Sequence, residues 1–136
     1  MQGCPPACGT GAVLAVAISF GANAPWGAVS QREYQRMAKD EGHSLTYRVH
    51  FAALGWANQI GHAEFAEGEL NRLLGKDRDP LSRQSLHGAI SRAKKLGLVH
   101  GDSGNQCLVL GQWHFQKAWH GTKRCRVHGI RTSLAA

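Results

Sequence analysis

This chain lacks the long hydrophobic runs of a membrane protein. Its apolar stretch from Val13 to Phe20 falls far short of the ~20 residues that span a bilayer. Residues 1–8 carry no Lys or Arg, and Pro25 sits just beyond the cleavage-like Ala22-Asn23-Ala24, so an export signal is not expected. Cysteine is scarce: Cys4, Cys8, Cys107 and Cys125 are the only four in 136 residues, too few for a disulfide scaffold at this length. They read as reduced thiols in a cytoplasmic protein. Cys4 and Cys8 have the wrong spacing for a Cys-x-x-Cys redox pair. Gly9-Thr10-Gly11 lacks the third glycine and the preceding strand of a dinucleotide site. Without a Ser-His-Asp order, a paired carboxylate or a phosphate loop, the sequence gives no support for an enzyme.

Acidic residues are missing where they would balance charge. The formal charge is +7, and it is unevenly placed. Up to Glu69, four cations (Arg32, Arg36, Lys39, Arg48) face six acids. After Leu70, twelve Lys and Arg residues face only Asp77, Asp79 and Asp102. A basic half of this kind fits a polyanionic partner, because neutralised phosphates release counterions and give affinity independent of sequence.

Ser30-Gln31-Arg32-Glu33 has the spacing of a capping box, and a short helix is expected from there to about Glu41, stopped by Gly42. A second helix opens at Ser44 or Thr46, with Val49, Ala52, Ala53, Trp56 and Ile60 at three- and four-residue steps and Gly61 at its end. A brief extended segment around Phe65 leads to a helix burying Leu70, Leu73 and Leu74 and closed by Gly75. Pro80 marks a turn. Ser82 then caps a helix whose Leu86, Ala89, Ile90, Ala93 and Leu96 share one face. Leu98–His100 and Cys107–Leu110 are short apolar runs joined by Gly101–Gln106, which has hairpin chemistry. After Gly111 the residues mix aromatics, histidines and cations without a clear period.

That order is how a winged helix-turn-helix is built. Residues 45–110 resemble winged helix-turn-helix DNA-binding domains: "YRVHFAALGWANQIGHAEFAEGELNRLLG" and "LSRQSLHGAISRAKKLGLV" are similar to the small helix-turn-helix proteins encoded by phages of actinobacteria. The most telling piece is "AISRAKKLGLV", an amphipathic helix running through Leu-Gly-Leu into the first wing strand. The resemblance implies a mainly α fold with a small β-hairpin, and double-stranded DNA binding in transcriptional regulation of phage genes. The expected divisions are an apolar, poorly ordered extension at 1–29, a helix within 30–42, the winged helix-turn-helix at 43–110 and a basic, aromatic tail at 111–136.

At 100° per residue, Gln84, Gly88, Ser91 and Lys95 lie opposite the apolar stripe, with His87 and Arg92 at its margins. A helix so surfaced can enter the major groove, where Gln can pair with adenine and Arg with guanine. Arg83, Gln84 and Ser85, near the helix N-terminus, are expected to reach bases or phosphates, and Arg92, Lys94 and Lys95 to touch phosphates. The 101–106 loop has neither Lys nor Arg, so a wing reading the minor groove through arginine is excluded. Gly88 costs the helix about 1 kcal/mol against alanine, explained by close approach to DNA or by close packing on a neighbouring helix. A two-fold dimer is expected for palindromic sites, although no dimerisation heptad is visible.

A second class stays open: an adaptor using the same fold to grip a host protein, with zinc stapling its tail. Cys125-Arg126-Val127-His128 is a Cys-x-x-His pair, and Cys107, His114 and His120 lie in the same third of the chain. A four-ligand site of Cys107, His114, Cys125 and His128 can be assembled, although the spacings follow no zinc-finger signature. Trp113, Phe115 and Trp119 are expected to close over the core near Trp56 rather than to stack on nucleic acid.

Overall fold

The computed structural model describes residues 17–76, 78–118 and 122–132. Among these, the elements run α1 (Gln31–Lys39), α2 (Leu45–Trp56), β1 (His62–Glu64), α3 (Glu69–Leu74), α4 (Arg83–Lys95), β2 (Cys107–Val109), β3 (Thr122–Cys125) and β4 (Gly129–Thr132). The fold is mainly helical, with two small antiparallel sheets, β1–β2 and β3–β4.

Three serines start helices. The hydroxyls of Ser30, Ser44 and Ser82 accept from the backbone N–H of Glu33, Tyr47 and Ser85, satisfying donors that have no partner within the helix. Glu33, the other half of the expected capping box, meets Arg36 Nε at 3.1 Å. Helix α2 stops at Trp56 instead of reaching Ile60. The cause is Asn58, whose Oδ1 accepts from the N–H groups of Ile60 at 3.0 Å and His62 at 3.1 Å, a local alternative to helical bonding. Gly75 closes α3 because a Cβ there would lie 2.4 Å from the Asp79 carbonyl oxygen.

Helix α2 is the hub of the core and packs against α1, α4 and β1. Its fully buried Val49, Ala52 and Ala53 meet Leu70 and Leu74 of α3 and Leu86, Ala89, Ile90 and Ala93 of α4. Arg48 is buried as well, with Nε donating to the Ala38 carbonyl at 2.8 Å; burial lowers the pKa of its guanidinium, against the pull of Glu41 and Asp40. Leu96, expected on the apolar stripe of α4, is 62% exposed, because it caps the helix beyond the last packed turn.

The expected 98–100/107–110 hairpin is corrected. Residues 98–100 form no strand, and β2 pairs instead with β1, in the register His62↔Val109, Ala63↔Leu108 and Glu64↔Cys107. What remains of the hairpin is the His100 N–H on the Val109 carbonyl at 2.7 Å. The loop between them is held at Ser103, whose buried hydroxyl accepts from Val109 N–H at 2.8 Å. Side chains alternate across a strand, so Ala63 and Leu108 enter the main core. His62, Glu64, Cys107 and Val109 point to the other face.

Residues 17–29 form neither helix nor strand, and the Ser19 N–H bonds to Gln116 Oε1 at 2.9 Å. Phe115 packs on the core while Trp113 is exposed. Trp56 meets Phe65 at 5.9 Å between ring centroids; Trp119 lies outside the described residues. No described helix is long and apolar enough to cross a membrane.

Candidate nucleic-acid interface and metal cluster

Helix α4 buries its apolar stripe against α2 and the core, which turns its polar residues outward. Arg83, Gln84, Ser85, His87, Arg92 and Lys95 are exposed, and Gly88, Ser91 and Lys94 are half-buried. Of these, Arg83, His87, Ser91 and Lys94 line a groove whose other walls are Asn71 and Arg72 of α3 and Ser103–Asn105 of the following loop. Among the described residues, Glu67 is the one acid lining this groove.

Two of these side chains also serve the fold. Ser85 Oγ accepts from the Ser82 hydroxyl at 2.9 Å, and Arg92 Nε donates to Thr46 Oγ1 at 3.0 Å, tying α4 to the start of α2. At Gly88, an added Cβ would meet only the Arg92 guanidinium, at 3.3 Å. Close packing on a neighbouring helix therefore does not explain this glycine. His50 of α2 lies behind α4, its Nδ1 2.7 Å from the Leu98 carbonyl oxygen. Burial lowers the pKa of that imidazole, more than the carbonyl raises it.

On the outer face of β1–β2 a second constellation forms. His62, Cys107, Cys125 and His128 bring their ligand atoms within 4.8 Å of one another, and the four could hold a metal ion. Cys107 Sγ is 3.5 Å from His62 Nδ1 and 3.5 Å from Cys125 Sγ, and Cys125 Sγ is 3.5 Å from His128 Nδ1. The two imidazoles stand edge to face at 5.0 Å. Both cysteines are free thiols and fully buried. Burial and the neighbouring Cys125 sulfur push the Cys107 thiol far above its usual range, so without a cation Cys107 stays protonated; a bound cation reverses that preference.

The surroundings orient these groups. His128 Nε2 lies 2.8 Å from the Asp102 carbonyl oxygen, an arrangement that leaves Nδ1 as the ligand atom. Val127 N–H points at Cys125 Sγ at 3.4 Å. Glu64 accepts from Arg126 N–H at 2.9 Å and meets its Nε at 3.2 Å. Of the sequence-predicted metal residues, Cys107, Cys125 and His128 come together and His114 does not: it is exposed, in the turn after Gly111, and His62 stands in its place. His62 was missed because it meets Cys107 only through the β1–β2 pairing, 45 residues away. The available signal was the alternation of His62-Ala63-Glu64-Phe65, which turns His62 away from Ala63 and Phe65. His120, Cys4, Cys8 and Gly9–Gly11 lie outside the described residues. Compared with protein-family models, curated proteins and solved structures, the chain matches none.

Proposed function

We propose that this chain binds double-stranded DNA as a winged helix-turn-helix protein, with α4 as the helix that enters the major groove. The single observation that carries this reading is the division of α4: one stripe fully buried, the other a polar surface continuous with a groove lined by Arg72, Arg83 and Lys94. Gln84 and His87 on that surface are side chains suited to base edges, and the cations are suited to phosphates. The order α2, β1, α3, α4, loop, β2 is compatible with a winged helix, with β2 paired to β1 as the one strand after α4 in the 43–110 region. The setting, regulation of phage genes, comes from the resemblance alone.

The cluster on the far face of the sheet fits zinc by donor type. Zinc takes tetrahedral Cys2His2 sets with bonds of about 2.3 Å to sulfur and about 2.0 Å to nitrogen. Such bonds give tetrahedral edges of about 3.3–3.8 Å, and three of the edges here are 3.5 Å.

Fluorescence anisotropy on pooled duplex fragments tests the DNA reading. Binding is expected at 50 mM salt and to fall steeply by 200 mM, as counterion release requires. Absence of binding at low salt would exclude this reading and leave the adaptor.

A further inference from the structure

The metal cluster joins two parts of the chain that have little else in common. His62 and Cys107 come from the β1–β2 sheet, whereas Cys125 ends β3 and His128 lies in the turn before β4. The β3–β4 hairpin is paired in the register Thr122↔Thr132 to Cys125↔Gly129. Beyond that pairing its described ties to the body include the cluster itself, the packing of Cys125 with Val109 and Ile60, the Arg126–Glu64 contacts and the His128–Asp102 bond. A hairpin of two short strands is marginally stable in water, so this one depends on its anchor.

Its composition is as one-sided as its attachment. Residues 122–132 hold Lys123, Arg124, Arg126 and Arg131 and no acid. The hairpin is bonded at His128 to Asp102, at the base of the loop whose Ser103–Asn105 wall the α4 groove. That loop has neither Lys nor Arg. The position where a wing would carry its phosphate-binding cations is therefore neutral or acidic, and a cationic hairpin is fastened beside it.

We infer that zinc bound by His62, Cys107, Cys125 and His128 builds a second DNA contact, holding the β3–β4 hairpin beside the 101–106 loop so that its basic residues engage the phosphate backbone. The inference rests on the DNA-binding reading and adds to it a metal-dependent arm. Zinc loading requires both thiols to lose their protons, and two thiolates with two neutral imidazoles leave the site without net charge. The ion then does for this hairpin what a hydrophobic core does for a larger one. Arg126 is held by Glu64; the other cations of the hairpin sequence are Lys123, Arg124 and Arg131.

The test uses the full chain in three forms: zinc-loaded, metal-stripped, and zinc-loaded with Lys123→Gln, Arg124→Gln and Arg131→Gln. Zinc content should be one per chain, and Co2+ in its place should give the intense visible absorption of a tetrahedral thiolate site, lost in His62→Ala but retained in His114→Ala. On mixed-sequence duplex, the slope of log Kobs against log salt should be shallower by about 2–3 for the triple variant than for the zinc-loaded parent, at about 0.9 per phosphate. The metal-stripped chain should show a similar loss. The triple variant keeps every ligand, so it answers even if stripping unfolds the protein. A chain that takes up no zinc, or a triple variant with the parent's slope, would overturn the inference while α4-dependent binding persisted. Loss of DNA binding in the zinc-loaded parent itself would instead overturn the reading on which the inference rests.

Discussion

Replacing Arg83 and Lys94 together by glutamine tests whether the α4 groove faces DNA. Both line that groove with Arg72; Arg83 is exposed at the first helical position and Lys94 lies three turns on. Neither makes an ion pair among the described residues, so their removal deprives the fold of little. Each phosphate contact contributes about 0.9 to the salt slope. Two lost contacts therefore flatten it by about 1.8, and between 50 and 200 mM salt the variant should lose about tenfold less affinity than its parent. The control is Arg32→Gln with Arg36→Gln, an equal change of charge on the exposed side of α1, which packs against α2. Long-range attraction alone is screened over about 10 Å at 0.1 M salt. Anisotropy titrations at four salt concentrations, with circular dichroism to confirm folding, give the comparison. Equal flattening by both double variants, or none by either, would refute the placement of the groove on DNA.

Three further outcomes follow from individual residues. Gly88→Ala should raise helix stability by up to about 1 kcal/mol, since only the flexible Arg92 guanidinium stands near the new methyl; a higher thermal midpoint combined with weaker DNA binding would mark Gly88 as a point of close approach. Gly75→Ala should destabilise, because the Cβ would strike backbone atoms of Asp79 and Leu81, and denaturant unfolding should show a lower midpoint at unchanged slope. His50 titrates below its ordinary value in the folded state. The unfolded chain therefore takes up the proton first, and stability present above about pH 6.5 should decline as pH falls through the depressed folded value. In His50→Gln, thermal melts between pH 7.5 and 5 should lose that part of the decline; an unchanged pH profile would contradict the assignment.

Helices were legible because their signals are local. Ser30, Ser44 and Ser82 mark the starts and the apolar residues recur at helical steps, so α1, α2, α3 and α4 stand close to where periodicity puts them. Where a side chain competes with the backbone, periodicity misleads: Asn58 ends α2 early, and Leu96 matches the stripe yet lies past the packed turns. The hairpin after α4 misled for another reason. Two adjacent apolar runs with a glycine-rich loop read as partners, but the hydrogen bonds of β2 are better satisfied by β1, which brings Leu108 and Ala63 into the core together.

The sequence by itself determined the helices, the polar and cationic side of α4 and the excess of positive charge after Leu70, because each is written in neighbouring residues or in composition. Only the tertiary structure decided that His62, and not His114, joins Cys107, Cys125 and His128, and that the basic C-terminal residues include a hairpin tied to the loop after α4. Three-residue strands carry too little pattern to fix their own register; burial of Ala63 and Leu108 on one face fixed it, and set His62 and Cys107 on the other.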